Sequence, residues 1–241
     1  IKFTREDFKL LRFNVTTARY FGTLFTVASI ISVGLAGPLL SQSGATSQTL
    51  ESAEVEASPT IVTDGFRSAK FGMDIDAVRS AIAADFGIEE SAVQASENAV
   101  ERTQVLTVAV PDLIPAGGIA QVSYVFGYSS KQLIQVGATW SDKTDPEMTP
   151  KLLYDNGDVL RSYFMEQSYA PDSVRSNVVL PNGILMFRGA DALERATLLL
   201  LQGTYATAGD GSNVLTPASL DLLYSADPNE PDIFSLPEGD F

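Results

Sequence analysis

Residues 119–140 read IAQVSYVFGYSSKQLIQVGATW, and the pattern of this stretch indicates the class of fold. In its first part, Val122, Tyr124 and Phe126 alternate with smaller or more polar residues, which is typical of a β-strand with one buried face. Residues 127–130 are turn formers, and a second apolar run follows at 132–140. The stretch therefore predicts two antiparallel strands joined by a tight turn.

Further strands are predicted on both sides of this hairpin. Thr103–Val110 precedes it, separated by a loop at 111–118 that is rich in Pro and Gly. Downstream, four more runs have strand character: 177–180, 184–188, 195–202 and 220–224. Asn182-Gly183 lies between the first two of these runs and is the strongest short-range hairpin signal in the chain.

A helix is predicted before each group of strands. The stretch FRSAKFGMDIDAVRSAIAADFG, residues 66–87, has Asp74 as N-cap and Gly87 as terminator. Between them, four apolar residues are spaced for one helix face: Ile75, Val78, Ile82 and Phe86.

The second predicted helix spans Pro150–Gln167 and buries three apolar residues: Leu153, Leu160 and Phe164. Asn156-Gly157 weakens its middle enough to allow a break into two pieces. The predicted fold class is α+β, an antiparallel sheet with helices on one face, and the order of elements predicts two tandem helix-plus-sheet modules. A duplication would explain this order, although no residue-level repeat accompanies it.

Part of the predicted α+β region resembles a known group of small envelope modules. Phe71-Gly72-Met73 followed by Val78, then a tyrosine-bearing strand and a hairpin ending in Trp140, is similar to the SmpA/BamE-like and β-lactamase-inhibitor-like proteins. The resemblance covers about twenty residues and implies binding of proteins in place of catalysis. The lipoprotein cysteine of the SmpA type is absent, and an apolar segment stands in its place.

That apolar segment, YFGTLFTVASIISVGLAGPLL at Tyr20–Leu40, is uncharged and long enough to cross a hydrocarbon core of ~30 Å as a helix. The nineteen residues before it carry a net charge of +3, and no Lys or Arg follows until Arg67. The positive-inside bias predicts a cytoplasmic basic segment at 1–19, a single transmembrane helix at 20–41 in the cytoplasmic membrane, and a periplasmic or otherwise extracytoplasmic main domain. That domain has a charge of −17, the total of −14 less the +3 of the first segment.

A cleaved secretory signal is the alternative interpretation of this segment, because Ser41-Gln42-Ser43 offers small residues for cleavage. The apolar run is longer than a typical signal, which favours the membrane anchor. Ala28, Ser32 and Ala36 recur every four residues and predict a face for binding another membrane helix. Small residues are also common in membrane helices generally, so a stripe without any binding role stays open as an alternative.

The composition argues against several classes of function. The chain has no Cys and no His, which removes thiol catalysis, the usual general base and the commonest zinc and haem ligands. It has 16 Lys and Arg against 30 Asp and Glu, and so has few cations to neutralise nucleic-acid phosphates. No catalytic residue, cofactor or metal site is therefore predicted.

The regions flanking the folded domain are polar. Residues 42–60 are predicted to form a flexible linker, residues 61–205 the α+β domain, and residues 206–241 an acidic C-terminal extension. Four apolar residues of the extension are predicted to bind a protein surface, on the same domain in preference to a neighbour: Ile233, Phe234, Leu236 and Phe241.

Two acidic motifs have the form of metal-binding sequences. Asp74-Ile75-Asp76 matches the Asp-x-Asp of metal-dependent transferases, but helix capping explains both acids. Residues 227–232, DPNEPD, offer oxygen atoms for calcium but lack the glycine and distal glutamate of an EF-hand loop. A solvated acidic turn is the favoured interpretation. Ser130-Lys131, the closest approach to a Ser–Lys catalytic pair, falls in a predicted turn.

These features predict a membrane-anchored, non-enzymatic accessory or scaffolding subunit that caps or braces the outer face of a larger membrane complex. Its predicted partners are other integral membrane proteins. One alternative is an acidic docking module for a basic soluble protein such as an electron carrier. Another is an envelope hydrolase that uses only carboxylates.

Overall fold

The structure, a computed structural model, describes residues Thr60–Leu236. Two very short strands, β1 (Gly65–Phe66) and β2 (Ala69–Lys70), pair into a hairpin before helix α1 (Ile75–Phe86). A 3-10 turn at Glu90–Ala92 follows the helix. Four strands complete this first half: β3 (Gln94–Asn98), β4 (Thr103–Pro111), β5 (Ile119–Phe126) and β6 (Leu133–Ser141).

The second half has the same order of elements. Helix α2 (Pro150–Met165) precedes a 3-10 turn at Pro171–Ser173. Four strands follow: β7 (Arg175–Leu180), β8 (Gly183–Ala190), β9 (Ala196–Thr207) and β10 (Asn213–Ser225). The predicted α+β class, with a large antiparallel sheet and two helices, is confirmed.

Strands β3 to β10 form one antiparallel sheet in the order β3-β4-β5-β6-β10-β9-β8-β7. Each half contributes a four-stranded meander, and the halves join at the seam between their last strands, β6 and β10. Because these equivalent strands run antiparallel, equivalent elements of the two halves lie at opposite ends of the sheet.

Helix α1 begins and ends where its capping residues predict. The Asp74 carboxylate accepts a hydrogen bond from the backbone N–H of Ala77 at 2.9 Å. Gly87 adopts a left-handed conformation with φ of +64° and donates to the Ala83 carbonyl. Val78 and Ile82 are fully buried, as their spacing predicts.

Helix α2 is continuous through Asn156-Gly157, so the predicted alternative of a break at this point is wrong. The reason is a close approach to the sheet. A Cβ added at Gly157 would lie 2.5 Å from the Met186 sulfur and 3.3 Å from a methyl group of Leu220. Asn156 is buried and donates to the Gly117 carbonyl at 2.8 Å. The two residues that would weaken an isolated helix are therefore those that allow α2 to pack closely on the sheet and on the loop at Gly117.

Both helices pack on the same face of the sheet. Val78 and Ile82 of α1 share one buried cluster with the β4 and β5 side chains Leu106 and Tyr124. Phe164 of α2 stacks on Phe187 of β8 with 5.4 Å between ring centroids. The largest fully buried side chains belong to this layer: Trp140, Tyr124, Phe126, Phe187 and Ile82. The core therefore runs without interruption across the seam.

Strand β10 is longer than the predicted 220–224 and lies at the centre of the sheet, paired with both β6 and β9. It contains Pro217, which has no N–H to donate to a neighbouring strand. The register against β9 shifts between Pro217 and Ser219, and this bulge accommodates the proline. Residues 206–225, predicted to belong to the extension, thus supply a strand at the seam.

Several sequence-based predictions lie outside the described residues. They are the cytoplasmic segment 1–19, the transmembrane helix 20–41 with its stripe at Ala28, Ser32 and Ala36, most of the linker 42–60, and Phe241. Within Thr60–Leu236, neither helix combines the length and hydropathy needed to span a bilayer.

Candidate functional site

A wide groove opens in the second half, between Tyr154 near the start of α2, the β7–β8 turn and the far end of the β9–β10 hairpin. Its volume of about 810 Å³ lies within the roughly 300–1,000 Å³ typical of binding clefts. We call it the apolar groove and define it by its lining residues: Tyr154, Val179, Leu180, Pro181, Ile184, Tyr205, Asn213, Val214 and Leu215.

The lengths of the last two strands create the groove. Strands β9 and β10 have 12 and 13 residues, whereas their counterparts β5 and β6 have 8 and 9. The additional residues carry the hairpin past the end of β8 and set Tyr205 opposite Leu215. The short Pro181-Asn182 turn ends β7 beside this extension. One wall is therefore the hairpin, and the other is the end of β7.

Two valines expose the groove to solvent. Val179 on β7 is 67% exposed and Val214 on β10 is 52% exposed, and both contribute to the lining of the groove. The nine lining residues include no carboxylate, amine or guanidinium. The groove therefore suits apolar side chains.

Two tyrosines hold the walls in position. The Tyr205 hydroxyl donates to the Gly183 carbonyl at 2.7 Å, and the Tyr154 hydroxyl donates to the Leu215 carbonyl at 3.4 Å. Burial, and then the neighbouring Tyr205, raise the pKa of the Tyr154 phenol above its usual value. Both rings thus serve as fixed apolar surface whose polar ends are satisfied by the backbone.

The groove also borders a free edge of the described sheet. β7 is the outermost strand of the second half and pairs with β8 on one side. An edge strand presents backbone N–H and C=O groups that can pair with an added strand. Val179 belongs to this edge strand, so one bound segment could contact both the edge and the groove.

A second site lies at the opposite end of the sheet, where the C-terminal extension returns. We call it the tail cleft: the β3–β4 turn at 98–102, the β5–β6 turn at 127–132, and the space between them. The backbone N–H groups of Ser129 and Ser130 donate to the Asp232 carboxylate at 2.9 and 2.8 Å. Tyr128 N–H donates to the Asp232 carbonyl at 2.8 Å. Three successive amides thus hold one residue of the tail.

Phe234 fills the rest of the tail cleft. Its ring meets Tyr128 edge to face at 5.4 Å between centroids, and the Arg102 guanidinium lies 3.7 Å from its centroid. Its N–H donates to the Glu101 carbonyl at 2.9 Å. The predicted anchor Phe234 therefore packs on its own domain. Ile233 is half-buried beside it, and Leu236 is 60% exposed.

Two buried or part-buried carboxylates have complete sets of hydrogen-bond donors. Asp191 accepts from the backbone of Thr63 and from the Arg195 side chain, and Asp221 accepts from three side chains: Thr139, Gln202 and Ser219. Asp221 pairs in register with Leu200, and Asp191 precedes the start of β9 at Ala196. At about 3.3 Å per residue they are more than about 13 Å apart, beyond the separation of a glycosidase pair.

The acidic motifs form local turns and caps. Asp74 caps α1, as predicted, and the Asp227 carboxylate accepts from the N–H groups of Asn229 and Glu230 at 3.1 and 2.8 Å. Within Thr60–Leu236, no group of three acidic side chains is arranged to hold a metal ion. Ser130 and Lys131 are exposed in the β5–β6 turn.

Of the four apolar tail residues named from the sequence, Phe234 packs on the domain, whereas the contact of Asp232 and the two surfaces that receive apolar groups were not predicted. The groove residues come from four separate stretches that strand pairing brings together. Val178-Val179 and Val214-Leu215, where adjacent apolar residues interrupt the alternation expected of a half-buried strand, were the available signal. Comparison of the chain with protein-family models, with curated proteins and with solved structures gives no match.

Proposed function

We propose that this chain is a non-enzymatic, membrane-anchored subunit that braces the outer face of a membrane complex by binding an apolar segment of a partner subunit in the apolar groove. The observation that carries the proposal is the groove itself, whose lining includes the solvent-exposed Val179 and Val214. Exposed apolar surface in a groove of a folded domain supports a protein-binding role.

The chemistry of the groove favours a protein segment as its ligand. Complete burial of an exposed valine side chain contributes about 1.5–3 kcal/mol, so two valines give a bound apolar segment a useful part of its affinity. The free edge of β7 adds backbone hydrogen bonds for a segment in extended conformation. An extended apolar segment of a partner therefore fits this surface best.

The proposed anchor is the uncharged segment at Tyr20–Leu40, with the N-terminus in the cytoplasm and the acidic domain outside. Its small residues Ala28, Ser32 and Ala36 are the proposed contact with a partner's membrane helix. Two contacts to one partner, one in the membrane and one in the groove, would reinforce each other because the second forms at a high effective concentration.

The test is co-purification of the full chain from membranes in mild detergent. Val179→Asp with Val214→Asp places two carboxylates in the groove and should remove a stoichiometric membrane-protein companion. Val62→Asp is the matched control, since Val62 is 62% exposed and does not line the groove. Equal recovery of the companion with the groove variant and the control would overturn the proposal, as would a chain that migrates alone.

Ionic strength separates this proposal from recruitment of a basic soluble partner by the charge of −17. A partner held by charge should be released when salt rises from low to physiological concentration, because screening shortens the range of the attraction to about 8 Å. A partner held in the apolar groove should stay bound.

A further inference from the structure

We propose that the tail cleft is a binding site for a peptide with an aspartate two residues before a phenylalanine, occupied in this structure by Asp232 and Phe234 of the same chain and open to such a segment of a partner protein when the tail leaves. This site lies at the other end of the sheet from the apolar groove. It stands independently of the function proposed for that groove.

The cleft recognises the carboxylate through the backbone. The Ser129 and Ser130 N–H groups each donate to one oxygen of Asp232, so both oxygens are bound at the same time. Successive N–H groups of a turn form a concavity that selects anions. Gly127 makes the space for this carboxylate, because a Cβ there would lie within 2.2 Å of an Asp232 oxygen. The turn is therefore shaped to fit an acidic residue.

The cleft recognises the aromatic ring through a cation and a second ring. Arg102 lies over Phe234, and Lys131 lies 5.3 Å from the centroid of Tyr128, the ring that Phe234 meets edge to face. In a chain with a net charge of −14, two cations at adjacent hairpin tips favour an acidic ligand locally.

Both cations come from residues in a strained backbone conformation. Arg102 and Lys131 have φ of +53° and +55°, the left-handed region that non-glycine side chains rarely adopt. The N–H of each donates to the carbonyl of the residue four positions earlier, Asn98 for Arg102 and Gly127 for Lys131. In both turns this conformation accompanies a cation placed beside the Tyr128 and Phe234 rings.

The hydrogen bonds that hold the Asp232 carboxylate lie at the surface of the domain, where a competing segment can reach them. The hydrogen bonds to Asp232 are exposed to solvent, and Leu236, two residues past Phe234, is 60% exposed. The six residues between Ser225 and Asp232 include the Asp227 turn, so the tail is a short intramolecular ligand. A short connection gives it a millimolar effective concentration, which a partner must exceed or displace.

The test uses the full chain in mild detergent and a fluorescent peptide with the sequence of residues 226–236. The peptide should bind a chain carrying Asp232→Ala and Phe234→Ala, whose cleft is vacant, and should bind the unsubstituted chain at least tenfold more weakly. A peptide with Asp232→Asn should lose about tenfold in affinity, because both charge-assisted hydrogen bonds weaken. Gly127→Ala in the vacant chain should abolish binding.

Equal affinity for the native and the Asp232→Asn peptides would overturn the proposal, as would the absence of binding to the vacant chain. In case the vacant chain does not fold, a protease site inserted after Ala226 allows the tail to be cut after folding. The labelled peptide should then replace the fragment, and failure to do so counts equally against the proposal. An unsubstituted chain that forms a dimer, dissociated by Phe234→Ala, would show that the ligand is the tail of a second copy and not of a partner.

Discussion

The two halves of the sheet end differently, although they have the same order of elements. In the first half, the segment before α1 pairs with the start of β6, with the Gly72 N–H donating to the Leu133 carbonyl at 2.9 Å and the Leu133 N–H donating to the Met73 carbonyl at 2.8 Å. Leu133 is buried as a result. In the second half, the corresponding start of β10 carries the exposed Val214 and lines the apolar groove.

The cavity between the helix and its neighbouring strands is also smaller in the first half than in the second. The first half has a cavity of about 210 Å³ beside Ile75 of α1, lined partly by polar β3 and β4 residues: Ser96, Glu97 and Gln104. The apolar groove, in the equivalent place of the second half, measures about 810 Å³. One half is therefore closed by its own chain, and the other presents an apolar surface that a different chain can close.

The largest expected loss of stability comes from removing one of two carboxylates that connect equivalent loops of the two halves. Asp191, in the β8–β9 turn, is buried and pairs with the Arg195 guanidinium at 2.7 Å, whereas Asp145 accepts two backbone N–H groups near the β4–β5 turn. Asp191→Ala should cost about 4 kcal/mol, because it leaves a largely buried cation unpaired. Asp145→Ala should cost about 1–2 kcal/mol. Urea unfolding of both variants measures the difference, and equal losses would contradict this account of the loops.

The Asp191 carboxylate should also make the stability of the domain fall at acidic pH. Burial raises the pKa of the Asp191 carboxyl. Hydrogen bonds from the Arg195 guanidinium and from the backbone N–H groups of Thr63, Leu193 and Arg195 outweigh burial and bring this pKa below its usual value. Its contribution to stability is therefore present above the ordinary aspartate pKa and lost as the pH falls through the lower folded value. Asp191→Asn should flatten this part of the curve of stability against pH, and an unchanged curve would argue against the ion pair.

An intermediate effect concerns the turn beside the groove. A Cβ at Gly183 would lie 2.1 Å from the Leu201 carbonyl oxygen, a backbone atom that cannot give way easily. Gly183→Ala should destabilise the domain by about 2–3 kcal/mol. The control is Gly137→Ala, whose new Cβ would lie 3.7 Å from Leu223, and which should have an effect within about 0.5 kcal/mol. Similar thermal unfolding of the two variants would show that the β7–β8 turn does not constrain the groove.

The smallest expected effect is a gain of stability, and it concerns Asp221 at the seam between the halves. Burial raises the pKa of Asp221, although Thr139, Ser219 and Gln202 donate hydrogen bonds that lower it. Since the folded pKa is raised, stability should decrease as the pH rises through it, and burial of this carboxyl group costs stability at any pH above its usual pKa. Asp221→Asn should therefore stabilise the domain by about 0.5 kcal/mol at pH 7 and remove this pH dependence. A loss of stability at pH 7 would contradict it.

Local signals predicted much of this fold. The cap Asp74 and terminator Gly87 gave α1 its ends, and the turn residues at 127–130 and at Asn182-Gly183 gave the two hairpins their register. These signals work because each depends on residues close together in the sequence. Strand β3 was not predicted, since its residues Gln94–Asn98 are mostly exposed and polar and it relies on pairing with β4.

Features that depend on distant contacts could not be predicted in this way. Proline is rare in central strands, and the bulge beside Pro217 is what allows it in β10. Asn156-Gly157 argued for a weak helix, and only the sheet beneath it shows why small residues are needed there. The apolar groove and the tail cleft are assembled from turns that are far apart in the chain. Their residues carry no common spacing for a sequence pattern to detect.

The most direct test of the groove as a partner-binding site is photo-crosslinking in intact membranes. A photoreactive residue replacing Val179 or Val214 should give one discrete adduct with a membrane protein, and the same residue replacing Val62 should give none. A lack of adduct from both groove positions, or the same adduct from position 62, would contradict the proposal that the open end of the second half binds a partner.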